Sequence, residues 1–452
     1  MPIFSKIKYS DTSLRLGAEY FIENFLSDEA KLERVDSINL KHLASLSVEK
    51  VNPTEQPDKP FRYIEIDNID TVSGEIKPQT IIGHKAPSRA RKKVKEKNII
   101  VSMVRPNRNA VALIPSTLNN AVCSTGFAVI IPEKISPEFL FVYLKTRFAI
   151  NQLVRRTTAS MYPAVTEEDI ENLIVPIPPT LIEERIIQLV SDAEADFEQA
   201  DNVYRQAENL FYNSIDLKID FKNEHVFVTT FSKTSTRLDA EYYQPKFGKI
   251  RDKIEEVSKY PSWNLKPVRE ISEPLKYGTS EKLTYVNNGI PFLRVTDVRN
   301  ADFDKDSIRY INEKEASKVG YAKVIEGDLL ISRSGVYLGL AALIGKDLSN
   351  SIFGSYFIRI RPRINVDKEY LAFYLNSIFG KMQVEQISTG AVQPNLTIPA
   401  IENMLVLLPK EDFQEKVGKL VKQSKFLREK GKMSLREAET IITNMVEQAT
   451  IV

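Results

Sequence analysis

The spacing of apolar positions changes period along the chain, and it does so twice in the same order. Short runs that alternate, or stay apolar over strand-like lengths, come first: Phe61–Ile66, Ile99–Met103 and Ala128–Ile131, then Pro291–Val298, Asp328–Arg333 and Phe357–Arg361. A helix-like piece follows each set, Pro137–Leu153 and Lys368–Val384. After a polar loop, a second apolar run ends in proline, Leu173–Pro179 and Met404–Pro409. Beyond each proline the period becomes that of a long helix. Ile182, Ile186, Leu189, Ala193, Phe197, Ala200, Tyr204, Ala207 and Phe211 step by threes and fours, and no proline interrupts Leu181–Asn213. Phe413, Val417, Leu420, Leu427, Ala438, Ile441 and Met445 keep that phase over Glu411–Val446. Ser424 and Gly431 break this second seam, so a tight or bent crossing is expected there.

About 32 residues make about 48 Å of helix. Each seam is too narrow to be a core by itself, so each helix needs a partner, and the other helix of the same chain is held at high effective concentration. An ordinary bundle or a coiled coil between two chains are the alternatives.

The matching order reflects a duplication. Thr12-Ser13-Leu14-Arg15-Leu16-Gly17-Ala18-Glu19-Tyr20 returns as Thr234-Ser235-Thr236-Arg237-Leu238-Asp239-Ala240-Glu241-Tyr242, identical at seven of nine positions. Lys93–Ile114 lies without a gap over Lys323–Ile344, Phe139–Leu144 over Tyr370–Leu375, and Ile170-Glu171-Asn172 over Ile401-Glu402-Asn403. The offset drifts only from 222 to 231. Two unrelated folds would not stay in step. The expected fold class is therefore α/β (α+β), with two duplicated mixed α/β domains separated by two long helices packed as an antiparallel coiled coil. The expected boundaries are 1–180 and 236–410 for the domains, 181–213 and 411–452 for the helices, and 214–235 for a polar linker.

Composition narrows the class without naming a function. A chain of 452 residues that is 42% apolar and 27% charged suits a soluble globular protein of two or three domains. No stretch approaches the roughly 20 apolar residues of a membrane span, and MPIFSKIKYS lacks an apolar signal core. The single cysteine, Cys123, cannot form an internal disulfide, which points to a reducing cytoplasm and an inert core thiol. With 62 basic and 60 acidic residues the net charge is +2, so only local charge can speak for or against nucleic acid.

Catalytic patterns are scarce. No GxGxxG follows a strand, and Gly339–Lys346 has one residue too many for a phosphate loop. His42, His84 and His225 are far apart, and no carboxylate cluster has metal-ligand spacing. Asn52-Pro53 is followed by Thr54-Glu55, not by the proline and aromatic residue of amino-methylating enzymes. No catalytic residue, metal or cofactor is expected on this chain.

The basic residues carry more information. Lys85, Arg89, Arg91, Lys92, Lys93 and Lys95 crowd ahead of one strand, and Arg105, Asn107 and Arg108 follow it. In the second copy the corresponding turn holds Arg333, Ser334 and Tyr337. Tyr277, Thr279 and Ser280 form a glycine turn upstream, and Arg294, Thr296 and Arg299 sit on or beside a strand. Arginine bonds bidentately to guanine, amides to adenine and lysine to phosphate, so these loops are candidate groove readers together with Tyr162 and Gln393. Taken singly, each patch also suits a solvated face. The copies agree at apolar scaffold positions and differ in these turns, as two readers of different sequences would, and as drifting surface loops would too.

These residues give the chain a resemblance to the specificity subunit of type I restriction-modification systems. It is carried by Arg237-Leu238-Asp239-Ala240-Glu241-Tyr242-Tyr243 with Pro245, and by Gly327-Asp328-Leu329-Leu330 entering a strand. To these add Ser388-Thr389-Gly390-Ala391-Val392-Gln393-Pro394, and Leu407-Leu408-Pro409 ahead of a long helix. The first copy departs from the pattern, with Ala159 where Gly390 stands and Tyr162 where Gln393 stands. The resemblance implies two target recognition domains on double-stranded DNA and two antiparallel spacer helices. Its implied partners are DNA methyltransferase subunits, which carry S-adenosylmethionine, and a motor-nuclease subunit. A duplicated coiled-coil scaffold, or the recognition subunit of another phage-defence methylation system, would also fit the residues.

Overall fold

The computed structural model describes residues 18–157, 161–217, 226–228, 239–335, 337–363, 365–388 and 394–448. Contacts divide the chain into two units, Met1–Glu198 with Arg428–Val452, and Gln199–Leu427. Each holds one copy of the repeat with segments of both long helices.

In the first unit an inner antiparallel sheet runs β2 (Ala44–Leu46), β9 (Phe127–Pro132), β6 (Ile99–Ser102), β7 (Val111–Leu113). An outer mixed sheet runs β4 (Gln79–Ile82), β3 (Pro60–Ile64), β8 (Val122–Ser124), β5 (Ala90–Lys93), with β3 and β8 parallel. The strand β1 (Ser37–Asn39) pairs with β10 (Ile174–Pro176). The helices are α1 (Glu23–Leu32), α2 (Pro137–Lys145), α3 (Arg147–Arg156), α4 (Glu167–Glu171) and the long α5 (Thr180–Ser214).

The second unit repeats this plan. Its inner sheet is β12 (Lys276–Tyr277), β21 (Phe357–Ile360), β18 (Leu329–Ser332), β19 (Ala341–Leu343). Its outer sheet is β13 (Tyr285–Val286), β17 (Arg309–Ile311), β14 (Ile290–Leu293), β20 (Ile352–Phe353), with β14 and β20 parallel. The strands β11 (Trp263–Pro267) and β22 (Leu405–Pro409) pair, and β15 (Val298–Arg299) with β16 (Asp302–Phe303) forms a hairpin. Helices α6 (Pro245–Ser258), α7 (Val268–Ile271), α8 (Glu313–Lys318), α9 (Lys368–Asn376), α10 (Ile378–Ile387), α11 (Ile398–Glu402) and the long α12 (Glu411–Gln448) complete the set. The copies differ at both edges of the outer sheet: β5 joins β8 at one edge in the first, whereas β13 joins β17 at the opposite edge in the second.

The central strands explain why their sequences are apolar on both faces. Ile99 and Val101 of β6 enter a core shared with the helices, while Ile100 enters the core between the two sheets. In β18, Leu329 and Ile331 face the helices and Leu330 faces the outer sheet. A strand covered on both sides shows a continuous apolar run.

Two local expectations are corrected. Pro137–Leu153 and Lys368–Val384 are each two helices rather than one. Thr146 and Ser377 take extended backbone, with ψ of 157° and 175°, and their hydroxyls donate to Tyr143 O at 2.7 Å and Tyr374 O at 2.6 Å. These side chains supply the backbone partner a continuing helix would have used. The expected strand Pro291–Val298 is broken by a short turn over Val295–Asp297, because Asp297 accepts from the Arg294 amide at 2.8 Å. Asn68 does the same for Glu65 in the first copy.

The long helices pack together, as their seams require. Within the first unit Ile186, Leu189, Val190, Ala193 and Phe197 share a core with Leu435, Ala438, Ile442 and Val446. Arg185 meets Glu437 at 2.5 Å and Asp196 meets Lys430 at 2.9 Å. Within the second unit Ala200 and Val203 cluster with Leu427, and Phe211 shares a core with Val417 and Val421. Numbers rise on one helix as they fall on the other, so the pair is antiparallel. Both interruptions of the seam are close approaches. Ser424 donates to Ala200 O at 2.8 Å, and a Cβ added to Gly431 would lie 2.7 Å from the Phe197 ring.

Candidate nucleic-acid interface

In each unit the central strand of the inner sheet delivers polar side chains to the loop ahead of a short helix. In the first, β6 leads through Val104, which bridges to Ala164, into Arg105. Arg105 has a left-handed backbone (φ 51°), and its amide donates to Pro163 O at 2.7 Å. This turn places the Arg105 guanidinium 5.0 Å from the centre of the Tyr162 ring. Tyr162 is 64% exposed and Met161 80% exposed, and the exposed Asn107 and Arg108 follow on the Pro106–Arg108 turn. Arg105, Asn107, Arg108 and Tyr162 are therefore brought together.

The second unit builds a similar tip from different positions. Ser334 bridges to Asn395, and Arg333 accepts from the Leu396 amide at 2.8 Å. The Arg333 guanidinium stacks 4.7 Å from the Tyr277 ring centre, and its Nε donates to Asn395 Oδ1 at 3.1 Å. The Tyr277 hydroxyl accepts from the Ile398 amide. Thr279 and Ser334 are buried, whereas Ser280 is exposed. The Thr279 amide donates to Phe353 O and its carbonyl accepts from the Ser355 amide, locking this turn to the next. Gly278 is needed here, since a Cβ would lie 2.3 Å from Gly354 O.

Stacking holds an arginine plane while leaving its edges oriented for paired hydrogen bonds. The two stacks do not occupy matched repeat positions, because Arg333 aligns with Met103 and Arg105 with Gly335. A similar surface has been made twice by different residues.

Other candidates are engaged elsewhere. Lys92 donates to Phe127 O at 2.7 Å and to Glu167 at 2.5 Å. Lys93 and Lys95 pair with Glu49, whose carboxyl they hold below its ordinary range. Arg294 makes a bidentate pair with the fully buried Asp297 and also donates to Ser307 O. Arg299 donates to Thr296 O, Val298 O and the Tyr337 hydroxyl. Arg91 reaches Ala90 O, while Thr296, Lys85 and Arg89 are exposed. Gln393 lies outside the described residues.

Sequence reasoning missed Tyr356, Asn395 and Met161. Tyr356 is 56% exposed, and its carbonyl accepts from the Arg333 amide. It aligns with Gly126 in the first copy, so divergence at matched positions is the signal that could have found it. No group of three or more His, Cys, Asp or Glu among the described residues is placed to hold a metal. No helix among them is long and apolar enough to cross a membrane.

The type I restriction modification DNA specificity domain family matches this chain twice, at residues 46–203 and 261–427. The chain belongs to that family. It is 27% identical over 109 residues to the type I restriction enzyme HindI specificity subunit of Haemophilus influenzae, covering 23% of this chain and 24% of that one. It is 21% identical to the EcoBI specificity subunit of Escherichia coli, over 68% of this chain and 62% of the relative. The matched parts thus span less than two thirds of either of these relatives. With the EcoKI specificity subunit of Escherichia coli K12 the identity is 22%, over 73% of this chain and 68% of the relative. Among solved structures, the HsdS subunit from Thermoanaerobacter tengcongensis is 23% identical with a TM-score of 0.33, covering 90% of this chain and 95% of that one. The type I restriction-modification S subunit from M. genitalium is 13% identical with a TM-score of 0.40, covering 92% and 94%.

Proposed function

We propose that this chain is a non-catalytic DNA-recognition subunit, in which each repeat reads one part of a two-part duplex site. Partner methyltransferase subunits carrying S-adenosylmethionine, and a motor-nuclease subunit, would perform the chemistry in the cytoplasm at the site it selects. The observation that carries this reading is the pair of arginine-on-tyrosine tips, Arg105 on Tyr162 and Arg333 on Tyr277, presented by one scaffold through different residues. Arginine held flat by an aromatic ring suits the paired acceptors of guanine, and nearby exposed cations suit phosphates. The helix pair acts as the ruler between the two read segments; the 35 residues of α5 make about 52 Å, between one and two turns of B-DNA.

Selection from random duplexes by the full chain tests the reading. The expected product is an asymmetric site in two parts with unread bases between them. Deleting one heptad from both long helices should change the number of unread bases and leave the read ones unchanged. Replacing Arg333 with Ala should cost about 1–3 kcal/mol in binding and relax one position. Replacing Lys85 and Arg89 with Ala should weaken binding to all sequences and flatten its salt dependence. No enriched motif, together with binding indifferent to salt, would overturn the proposal.

A further inference from the structure

The first copy carries a longer turn whose charged residues are all acidic, where the second has a short turn with Arg299 and Asp302. Between the bridged residues Ile69 and Ile76 lie six residues, and between the corresponding Val298 and Phe303 lie four. The longer turn holds Asp70, Ser73, Gly74 and Glu75; the shorter one turns on Asn300 and Ala301, both at positive φ.

This turn sits in the first unit against α2 and the C-terminal part of α12. Gly74 has φ 76° and packs so closely that a Cβ would lie 2.7 Å from the Phe141 ring. Glu75 pairs with Arg428 at 2.5 Å, each side chain only 15% exposed. Lys145, buried in α2, donates to Thr71 O at 2.9 Å. Asp70 accepts from the Val72 and Ser73 amides, both at 2.9 Å. Burial opposes its charge, but these amides, with Lys432 and Lys145, hold its carboxyl below the ordinary range. At the position of Lys145 the second copy has Asn376, which bonds locally to Ala341 and Ala372. Cations are therefore supplied from two helices, and the acids arrive on the turn that leaves β3.

A part-buried ion pair adds little stability over an apolar pair, but it fixes orientation, because a buried charge tolerates few positions. We propose that the Asp70–Glu75 turn is a latch fixing the outer sheet of the first domain, which carries Lys85 and Arg89, against α12. Glu75, Arg428 and Lys145 are its positioning residues. Their bearing on DNA rests on the recognition reading given above.

The test uses the full chain with spin labels at Gln79→Cys on β4 and Thr440→Cys on α12, both exposed. The distance distribution is expected to be narrow in the unsubstituted protein and to broaden in Glu75→Gln and Arg428→Met. The charge-reversed double variant Glu75→Arg/Arg428→Glu should restore it. If Arg428→Met fails to fold, the near-isosteric Glu75→Gln still decides. Duplexes whose unread gap is one base shorter or longer than the selected site form the second readout, and both single variants should lose the preference for one gap while still requiring the same read bases. Unchanged distances, with gap preference as sharp as in the unsubstituted protein, overturn the latch and leave the recognition reading intact. Broadened distances in a protein that selects no two-part site retain the latch and overturn that reading.

Discussion

Gln152 and Gln383 make the same pair of hydrogen bonds in their respective halves of the chain. Gln152 accepts from the Ile174 amide at 2.8 Å and donates to its carbonyl at 3.1 Å; Gln383 does so with Leu405 at 2.6 and 2.9 Å. The Tyr143 and Tyr374 hydroxyls donate to the same two carbonyls. Each glutamine therefore ties α3 or α10 to the strand that leads to a long helix. Replacing either by Leu takes the acceptor from the part-buried Ile174 or Leu405 amide, while each carbonyl keeps its tyrosine hydroxyl, and should cost about 1–3 kcal/mol in its own half. Native-state hydrogen exchange checks this: the Ile174 amide should lose protection in Gln152→Leu only, and the Leu405 amide in Gln383→Leu only.

Gly431 faces Phe197 across the helix pair, with room for a hydrogen and nothing larger. Gly431→Leu should overpack the crossing and cost about 1–3 kcal/mol. Phe197→Ala alone opens a cavity in the same place. In the double variant part of both losses should cancel, and a double-mutant cycle by urea unfolding should return a favourable coupling. Strict additivity would mean that the two residues do not touch.

The features that were legible in the chain are those written as periods. The long helices and their pairing followed from steps of three and four between Ile182 and Phe211, and the duplication from the conserved phase of Lys93–Ile114 over Lys323–Ile344. The breaks at Thr146 and Ser377 were hidden because a hydroxyl inside an apolar run does not alter the period, yet it can take over a backbone hydrogen bond. The engagement of Lys92 was hidden too, since its partner Glu167 is 75 residues away and only the folded chain brings them together. Arg294 was different. Asp297 lies three residues on, and the spacing already allowed a local pair.

Asp328 is fully buried at the start of β18 and is held bidentately by Arg361 at 2.6 and 2.8 Å. Its other contact is the Ile325 amide. Arg361→Met takes the bidentate partner from a fully buried carboxylate and should cost about 3 kcal/mol or more. Adding Asp328→Asn removes that charge while keeping an oxygen for the Ile325 amide. The double variant should recover most of the loss, as read by denaturant unfolding.

Cys123 is fully buried in β8, and burial pushes its thiol up to about 12, with the Lys92 charge pulling weakly the other way. Alkylation at pH 8 should therefore proceed only as fast as the protein opens. The linkage has a definite sign. A raised folded value adds stability that is fully present below the unfolded value of about 8.5 and is lost as pH climbs toward 12. The stability advantage of the native chain over Cys123→Ala should thus shrink between those limits and stay constant below them. A thiol alkylated rapidly in the folded state would contradict the burial.

Tyr162 and Tyr277 should separate the two halves of the proposed recognition. Each supports one arginine, Arg105 or Arg333, and the tyrosines belong to different repeats. Replacing a ring by Leu removes the stacking face, so the guanidinium keeps its charge but loses its fixed plane. Charge alone retains attraction to phosphates, whereas base readout depends on geometry. Tyr162→Leu should consequently relax bases in one half of the site only, and Tyr277→Leu in the other half only, with little change in salt dependence. Selection from random duplexes with each variant reads this directly. If either substitution relaxed both halves together, the two tips would not be acting as independent readers, and the assignment of one half-site to each repeat would have to be abandoned.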